Sequence, residues 1–371
     1  MGSIRPTAVD LFCGMGGLTL GLKRAGFVVK AALDINEEFA KTYKANHPEV
    51  TLLTKNIRQA TGKEILKAAG VESVDLVSGC PPCQGFSKLT DKQKGEDPRN
   101  ELLIEMGRIV LEMQPRAVMM ENVPGLYKRG KSRLDEFVKM LESDDYKTNF
   151  DLIPLADYGI PQSRTRLVLL AGKGFKIGFP DRTHAKDSSD SRGMSPWQTL
   201  RDVIWGMRKP VTLSKALKNG GPQRYNWHVV RDLHEISIRR LKALRAGQSR
   251  SALPKRLRPA CHKKEGAGFV NTYARISWNQ LPPTITSGCL SPCMGRFGHP
   301  RQIRTISVRE AAMLQTFPRS YRIKTNFAEA ACNMVGNALP PRFAELAGVS
   351  CLAALKNDAD ARGRILGNGI V

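Results

Sequence analysis

Eleven residues near the amino terminus decide the fold of this chain: Thr7-Ala8-Val9-Asp10-Leu11-Phe12-Cys13-Gly14-Met15-Gly16-Gly17. The apolar run 7–12 predicts a buried strand, and the glycines after it predict a tight turn that opens a helix over residues 18–25. Glycines in such a turn permit positive φ and let the backbone approach another group closely. A strand, a glycine turn and a helix in this order are typical of an α/β sheet that binds a cofactor.

The alternation of strands and helices continues through the first half of the chain. The predicted strands cover residues 28–33, 74–78, 117–120 and 167–171, and the predicted helices cover residues 37–46, 102–113, 134–141, 327–334 and 341–355. This βαβα pattern predicts an α/β fold with a doubly wound, mainly parallel sheet. Asp34 follows the second strand, where a carboxylate can bind ribose hydroxyls or cap the next helix.

Composition divides the chain into three segments. We predict a catalytic α/β domain over residues 1–182, a smaller basic domain over residues 183–318 and a return to the first domain over residues 319–371. Residues 231–264 hold 11 Lys or Arg against 2 Asp or Glu. Such a one-sided run indicates a nucleic-acid surface, with a solvated helix face as the alternative.

The net charge of +24 indicates a polyanionic partner. The eight cysteines follow no disulfide framework, and no secretory signal precedes the first strand. These features predict a protein of a reducing compartment. No apolar run approaches the roughly 18 residues that a membrane span requires, so we expect no membrane partner.

A second motif, Cys80-Pro81-Pro82-Cys83-Gln84-Gly85-Phe86, follows the apolar run 74–79. Open α/β sheets place their active sites at the carboxyl ends of strands, so a thiol here is a candidate nucleophile. Cys80 and Cys83 form a Cys-x-x-Cys pair, which could instead bind zinc or act in redox chemistry. A zinc site usually needs two such pairs. A redox pair lies at the start of a helix, which the two intervening prolines do not suit. We expect no metal.

Six motifs occur in an order that resembles the C5-cytosine DNA methyltransferases. They are Asp10 to Gly17, Pro82-Cys83-Gln84 with Phe86 and Ser87, Glu121-Asn122-Val123, Gln162-Ser163-Arg164-Thr165-Arg166, Arg309-Glu310-Ala311 and Gly336-Asn337. The resemblance covers most of the chain and is weakest in the small basic domain. It implies a sheet that binds S-adenosyl-L-methionine beside a target-recognition domain.

The resemblance also implies the catalytic residues. Carbon 5 of cytosine becomes nucleophilic only after a thiolate adds to carbon 6, and Cys83 matches that thiolate. Glu121 would bond ring N3 and the exocyclic amine, Arg166 would hold the base carbonyl, and Arg164 would bind a backbone phosphate. The alternatives are a turn acid for Glu121 and strand-edge charges for the arginines.

The cofactor contacts that the resemblance implies come from six parts of the chain. They are Phe12, Gly14, Met15, Asp34, Ile35, Asn56, Pro82, Leu102 and Asn337. Two of them depart from the family pattern. Ile35 stands where the family often has an aromatic residue beneath the adenine, and Asn56 stands where it commonly has an Asp at the adenine amine. We therefore expect an altered affinity for the cofactor rather than a loss of cofactor binding.

The substrate contacts implied in the same way are Gln84, Ser87, Asn122 and Thr284. A base inside a duplex must be flipped out to reach Cys83, and residues 87–100 resemble the loop that closes over it. Residues 183–268 would fix the DNA sequence that is read.

We therefore expect a sequence-specific DNA (cytosine-5)-methyltransferase that acts on double-stranded DNA as a monomer. We expect the protein to act in the cytoplasm of a bacterium, or to be encoded by a phage, and to associate with the nucleoid. We also expect it to function together with a restriction nuclease. Two alternatives stay open: an RNA cytosine-5 methyltransferase, and a catalytically silent DNA-binding regulator. A dinucleotide oxidoreductase is disfavoured by the glycine spacing and the charge.

Overall fold

A computed structural model describes residues 5–82, 98–186, 193–260 and 272–367. The chain divides into two compact units. The first contains Met1–Pro154, Thr165–Arg182 and Leu339–Val371, and the second contains Leu155–Arg164 and Thr183–Ala338. Within the described residues, no helix is long and apolar enough to cross a membrane.

A seven-stranded sheet forms the centre of the first unit, in the order β3-β2-β1-β4-β5-β7-β6. The strands are β1 Thr7–Leu11, β2 Val28–Asp34, β3 Thr51–Thr54, β4 Leu76–Gly79, β5 Ala117–Asn122, β6 Tyr146–Pro154 and β7 Thr165–Lys173. Strand β7 runs antiparallel to its neighbours β5 and β6. The sheet confirms the predicted mainly parallel α/β fold.

Helices pack against this sheet in the first unit. They are α1 Gly17–Ala25, α2 Glu37–Asn46, α3 Gly62–Ala69, α4 Leu102–Met113, α5 Pro124–Arg129, α6 Lys131–Glu142 and, near the carboxyl terminus, α12 Pro341–Gly367. Helices α1 and α12 lie in close contact at Gly21. A Cβ at this position would collide with Ala344 and lie 2.6 Å from the Pro341 carbonyl oxygen. The carboxyl-terminal helix thus belongs to the first unit.

The second unit holds short elements separated by long irregular segments. They are β8 His184–Ala185, β9 Ser195–Pro196, α7 Leu200–Ile204, β10 Val211–Thr212, α8 Leu213–Lys218, β11 Val229–Val230, α9 Glu235–Lys242, α10 Val308–Leu314 and α11 Ala328–Asn337. Trp227 lies fully buried in its core and donates its indole hydrogen to the Thr325 carbonyl at 3.1 Å.

The division into units differs from the predicted domains in two places. The boundary after residue 182 agrees, but the chain returns to the first unit at Leu339 and not at residue 319. Helix α11 stays with the second unit because Gln315 donates to the Val335 carbonyl at 2.7 Å and Gly336 packs against the backbone of Thr286 and Ser287. Residues 155–164 also belong to the second unit, which their position between two strands of the sheet does not suggest.

Candidate active site

The glycine turn after β1 has the conformation that its sequence predicts. Phe12 and Gly14 have φ values of 59° and 54°, and Gly16, with φ 94°, caps α1. A Cβ at Gly14 would meet no atom within 4 Å, so open space lies in front of the turn. The backbone is therefore exposed to a group that could bind there.

Asp34 and Ile35 follow β2, directly beside this turn. The Asp34 carboxylate accepts hydrogen bonds from the backbone N–H of Gly14 and of Asn36, both at 2.8 Å. Burial raises the pKa of Asp34. Ile35, next to this half-buried carboxylate, is 65% exposed. The pair offers one hydrogen-bonding and one apolar contact at the edge of the sheet.

Asn56 follows β3 on the same edge, because β3 pairs in parallel with β2. Its side-chain oxygen accepts from the backbone N–H of Arg58 at 3.1 Å and caps a short 3₁₀ turn. Leu102, which begins α4, is partly buried against the core of the first unit. These positions agree with a pocket lined from the ends of several strands.

Asp10 forms a buried polar group beneath the glycine turn. Its Oδ2 accepts from the Thr19 hydroxyl at 2.6 Å, and Thr19 also lies 2.8 Å from the Tyr43 hydroxyl. Asp10 Oδ1 is buried without a hydrogen-bond partner among the described residues. Burial raises the pKa of Asp10 to about 7, against the lowering effect of the Thr19 hydrogen bond. The sequence marked Asp10 only as the start of a motif.

We expect Asp10 to make stability depend on pH. The folded chain holds a proton on Asp10 up to about pH 7, whereas the unfolded chain loses it near pH 4. The contribution of Asp10 to the free energy of unfolding is therefore complete below about pH 4. This contribution falls as the pH rises toward 7, by at most roughly 4 kcal/mol. Thermal unfolding of wild type and Asp10→Asn from pH 5 to 8 tests this. The wild type should lose stability relative to the variant, and a constant difference between them would contradict the assignment.

Glu121 and Arg166 form an ion pair at the end of β5. Arg166 Nε lies 2.6 Å from Glu121 Oε1, and both side chains are largely buried. The antiparallel register pairs Glu121 with Val168, and Arg166, two residues before Val168 on β7, is the diagonal neighbour of Glu121. Burial lowers the pKa of the Arg166 guanidinium, and the Glu121 charge counteracts this. The structure thus brings together two of the predicted catalytic residues.

Cys80 lies beside this pair. Its thiol is within hydrogen-bonding reach of the Glu121 carboxyl, and burial, followed by the charge of Glu121, raises the pKa of Cys80 well above its usual value. A thiol that stays protonated is a poor nucleophile. Cys83, Gln84 and Ser87, with most of the predicted loop 87–100, lie outside the described residues.

Asn122 holds the segment that follows β4. Its amide nitrogen donates to the Pro81 carbonyl at 3.0 Å, and its amide oxygen accepts from the Val123 N–H at 2.8 Å. Asn122 is only 3% exposed. This placement differs from the predicted contact with DNA, since a buried amide satisfied inside the protein positions its neighbours instead.

Arg164 also differs from its prediction. We expected a contact with a backbone phosphate, but Arg164 is 3% exposed and belongs to the second unit. Its guanidinium donates to the carbonyl oxygens of Ile285, Gly336 and Ala338, at 3.0 to 3.4 Å. A buried guanidinium requires such partners, and the carbonyls that supply them hold it away from solvent. Arg164 is therefore a structural residue here.

The two other predicted residues of the second unit differ in exposure. Asn337 is exposed at the end of α11. Thr284 is partly buried, and its hydroxyl donates to the Ser163 carbonyl. A side chain at Gly336 would collide with the adjacent backbone, which explains why this motif requires glycine.

Two residues of the sequence motifs for which no role was predicted are structural. Gln162 is fully buried, with its amide nitrogen 2.7 Å from Gln315 Oε1 and its oxygen accepting from the Ile285 N–H at 3.1 Å. Glu310 forms a buried bidentate ion pair with Arg304, at 2.7 and 2.8 Å, and caps α10. A sequence motif alone does not separate such residues from catalytic ones.

The basic run 231–264 is only partly available to a partner. Arg239 is exposed and pairs with Glu235 on α9, and Lys242 is exposed. Arg240 instead donates to the Leu257 carbonyl at 2.8 Å and lies 4.7 Å from the centre of the Tyr273 ring. Residues 261–264 lie outside the described part of the chain.

Comparison with known sequences assigns the family. The profile of the family "C-5 cytosine-specific DNA methylase" matches residues 7–352. The chain is 35% identical over 338 residues to the type II methylase M.HgiDII of Herpetosiphon aurantiacus, covering 90% of this chain and 91% of that protein. It is 30% identical over 398 residues to the type II methyltransferase M.XorII of Xanthomonas oryzae pv. oryzae, covering 98% and 89%.

Comparison with solved structures agrees on the fold. A DNA modification methyltransferase encoded within an E. coli prophage superposes with a TM-score of 0.72 at 23% identity, covering 95% of this chain and 99% of that one. The Dnmt2 methyltransferase of S. pombe gives 0.59 at 18% identity, with coverages of 95% and 98%. Since the family profile spans most of the sequence and both relatives align along nearly its whole length, the chain belongs to the C-5 cytosine-specific DNA methylase family.

Proposed function

We propose that this chain methylates carbon 5 of a cytosine in a specific sequence of double-stranded DNA, through a transient covalent bond between the cytosine and Cys83. The observation that carries the proposal is the ion pair of Glu121 with Arg166, next to the segment that Asn122 holds by the Pro81 carbonyl. Cys83 follows Pro82 in the sequence. A proton donor, a cationic donor and a thiol would then act on one ring.

The reaction begins when the Cys83 thiolate adds to carbon 6 of the flipped cytosine. The ring electrons move toward N3, where a proton from the Glu121 carboxyl stabilises them, and carbon 5 becomes nucleophilic. Arg166, already fixed by Glu121 and by the Thr165 carbonyl, would bind the base carbonyl oxygen. After methylation, solvent water removes the proton from carbon 5, the electrons of that bond expel the Cys83 thiolate, and N3 returns its proton to Glu121, which restores the neutral ring.

S-adenosyl-L-methionine, when bound, supplies an electrophilic methyl group. The residues of the first unit fit this group: the turn at Gly14 faces open space, Asp34 is a half-buried acceptor, and Ile35 presents an exposed apolar surface. Further residues of the first unit would line the same site, namely Phe12, Met15, Asn56, Pro82 and Leu102. Asp34 would accept from the ribose hydroxyls and Asn56 would face the adenine amine.

A role in restriction-modification follows from the relatives, which are named type II methylases and methyltransferases. The chain would act in the cytoplasm as a monomer on DNA and protect it from a partner nuclease. The same names favour DNA over the alternative of an RNA substrate. A silent regulator is disfavoured because Cys83 and Glu121 are both present.

Bisulfite sequencing of DNA from cells that express the chain tests the proposal. Cytosines in every copy of one short sequence should resist conversion, because methylation at carbon 5 slows deamination. Cells with an empty vector provide the control. Complete conversion in cells that contain folded protein would contradict the proposal.

A further inference from the structure

An arginine and a tryptophan stack on the surface of the second unit, one helical turn apart. The guanidinium carbon of Arg201, on α7, lies 4.3 Å from the centre of the Trp205 ring. Both residues are exposed, and Trp205 retains 50% of its accessible surface. The pair therefore presents a cation stacked on an exposed aromatic ring.

The tryptophan is anchored in the core of the unit. Its ring meets the edge of Trp278 at 4.9 Å, and Trp278 meets His299 at 5.3 Å. His299 is 4% exposed, and its Nδ1 accepts from the backbone N–H of Arg301 and of Gln302, at 3.2 and 3.0 Å. Burial lowers the pKa of His299 to about 4, so the ring is neutral at neutral pH. Trp205 is thus a rigid platform.

The guanidinium has a fixed orientation. Arg201 Nε donates to Asn279 Oδ1 at 2.9 Å, and the Arg201 backbone N–H donates to the Trp278 carbonyl at 3.0 Å. The neighbouring acid, Asp202, accepts instead from the N–H and hydroxyl of Thr199, at 2.7 and 2.8 Å. Across the described residues, no ion pair or hydrogen bond engages Nη1 or Nη2 of Arg201. Two directed donor groups remain available to a partner.

We infer that Arg201 reads a guanine of the recognised DNA sequence by donating from its two Nη groups to O6 and N7 in the major groove, with Trp205 and Asn279 as positioning residues. The guanine edge presents two adjacent acceptors, which match a planar guanidinium fork. The Asn279 side-chain oxygen already accepts from Arg201. Arg201 and Asn279 together therefore present hydrogen-bond donors to the acceptor edge of the guanine. A net charge of +24 identifies a polyanion as the partner.

The inference rests on the proposed function only in taking duplex DNA as the partner. A phosphate could also accept from the Arg201 fork, but a phosphate contact carries no sequence information. The Arg201→Lys variant separates these sources through the bound sequence, because loss of the planar fork changes the base preference only where Arg201 reads a base. Trp205→Ala keeps the arginine and removes its platform.

The full-length chain and its variants are tested by selecting bound duplexes from a random DNA library and sequencing them, which requires no methyl transfer. Arg201→Lys should lower the preference for guanine at one position of the bound sequence by roughly 10- to 100-fold. Trp205→Ala should relax the same position. Arg224→Lys is the matched control, because Arg224 is exposed in the same unit and pairs with no acid among the described residues, and it should leave the sequence unchanged.

An unchanged sequence preference in Arg201→Lys would overturn the inference. So would a uniform loss of affinity for all sequences with a shallower dependence on salt, which marks a phosphate contact. Bisulfite sequencing of the selected duplexes after reaction separates the two proposals. Selected sequences that carry no methylcytosine would contradict the proposed function and leave the reading of guanine intact.

Discussion

Replacing Cys83 by serine abolishes methyl transfer, by our account, while the chain still folds and binds DNA. A serine hydroxyl is not ionised at neutral pH, so no nucleophile adds to carbon 6 and carbon 5 is not activated. We expect the rate of transfer of a radioactive methyl group to fall by about 10⁴-fold or more. Binding of the same duplex by the variant, measured in parallel, should change little.

Cys80→Ser is the matched control for this loss. Both thiols belong to one Cys-Pro-Pro-Cys segment, but Cys80 lies against Glu121 with a raised pKa. The Cys80→Ser enzyme should keep its activity within roughly tenfold, because its thiol stays protonated. An active Cys83→Ser together with an inactive Cys80→Ser would reverse the assignment of the nucleophile.

Replacing Glu121 by glutamine should slow the chemical step by about 10²- to 10⁴-fold, the usual contribution of a positioned acid. The amide keeps the shape of the side chain but supplies no proton to N3 of the cytosine. Single-turnover kinetics isolates this step, and titration of the duplex measures binding. The affinity for DNA should stay nearly constant, since the carboxyl acts on the transition state.

A glutamine at residue 121 also leaves the buried Arg166 charge without its partner, which costs stability. Glu310→Gln controls for this effect, because Glu310 forms a buried pair with Arg304 in the second unit. Both variants should unfold at lower temperature, but only Glu121→Gln should slow the chemistry of the folded enzyme. Equal losses of rate and affinity in Glu121→Gln would remove Glu121 from the mechanism.

The elements that the sequence predicted best have strong local signals. Strand β1, the glycine turn and α1 combine an apolar run, glycines with positive φ and a helix that buries one face. Strand β6 was not predicted, since Tyr146–Pro154 lies at the edge of the sheet and only two of its nine residues are fully buried. An edge strand lacks the apolar run that identifies a central one.

Arg164 shows why residue roles are harder to predict than elements. Its motif places it two residues from Arg166, yet Arg164 is buried among carbonyl groups and Arg166 pairs with Glu121. The difference arises because residues 155–164 leave the sheet for the second unit, whereas β7 begins at Thr165. The packing partners of Arg164 lie more than a hundred residues away along the chain, so no local pattern reveals them.

Asp10 was missed as an ionisable group for a similar reason. The sequence shows an acid at the end of a strand, but its pKa depends on complete burial and on Thr19. Burial of this kind is a property of the assembled sheet. The candidate site was therefore predictable in its residue types, whereas the charge states and the supporting contacts required the structure.

Trapping of the covalent intermediate tests the central claim most directly. A duplex with 5-fluorocytosine at the target, incubated with the chain and S-adenosyl-L-methionine, should yield a complex that survives denaturation, because fluorine at carbon 5 cannot leave as a proton does. Mass spectrometry of the digested complex should place the DNA on Cys83. A wild-type chain that methylates ordinary DNA but forms no such complex, or a Cys83→Ser chain that still forms one, would contradict the account.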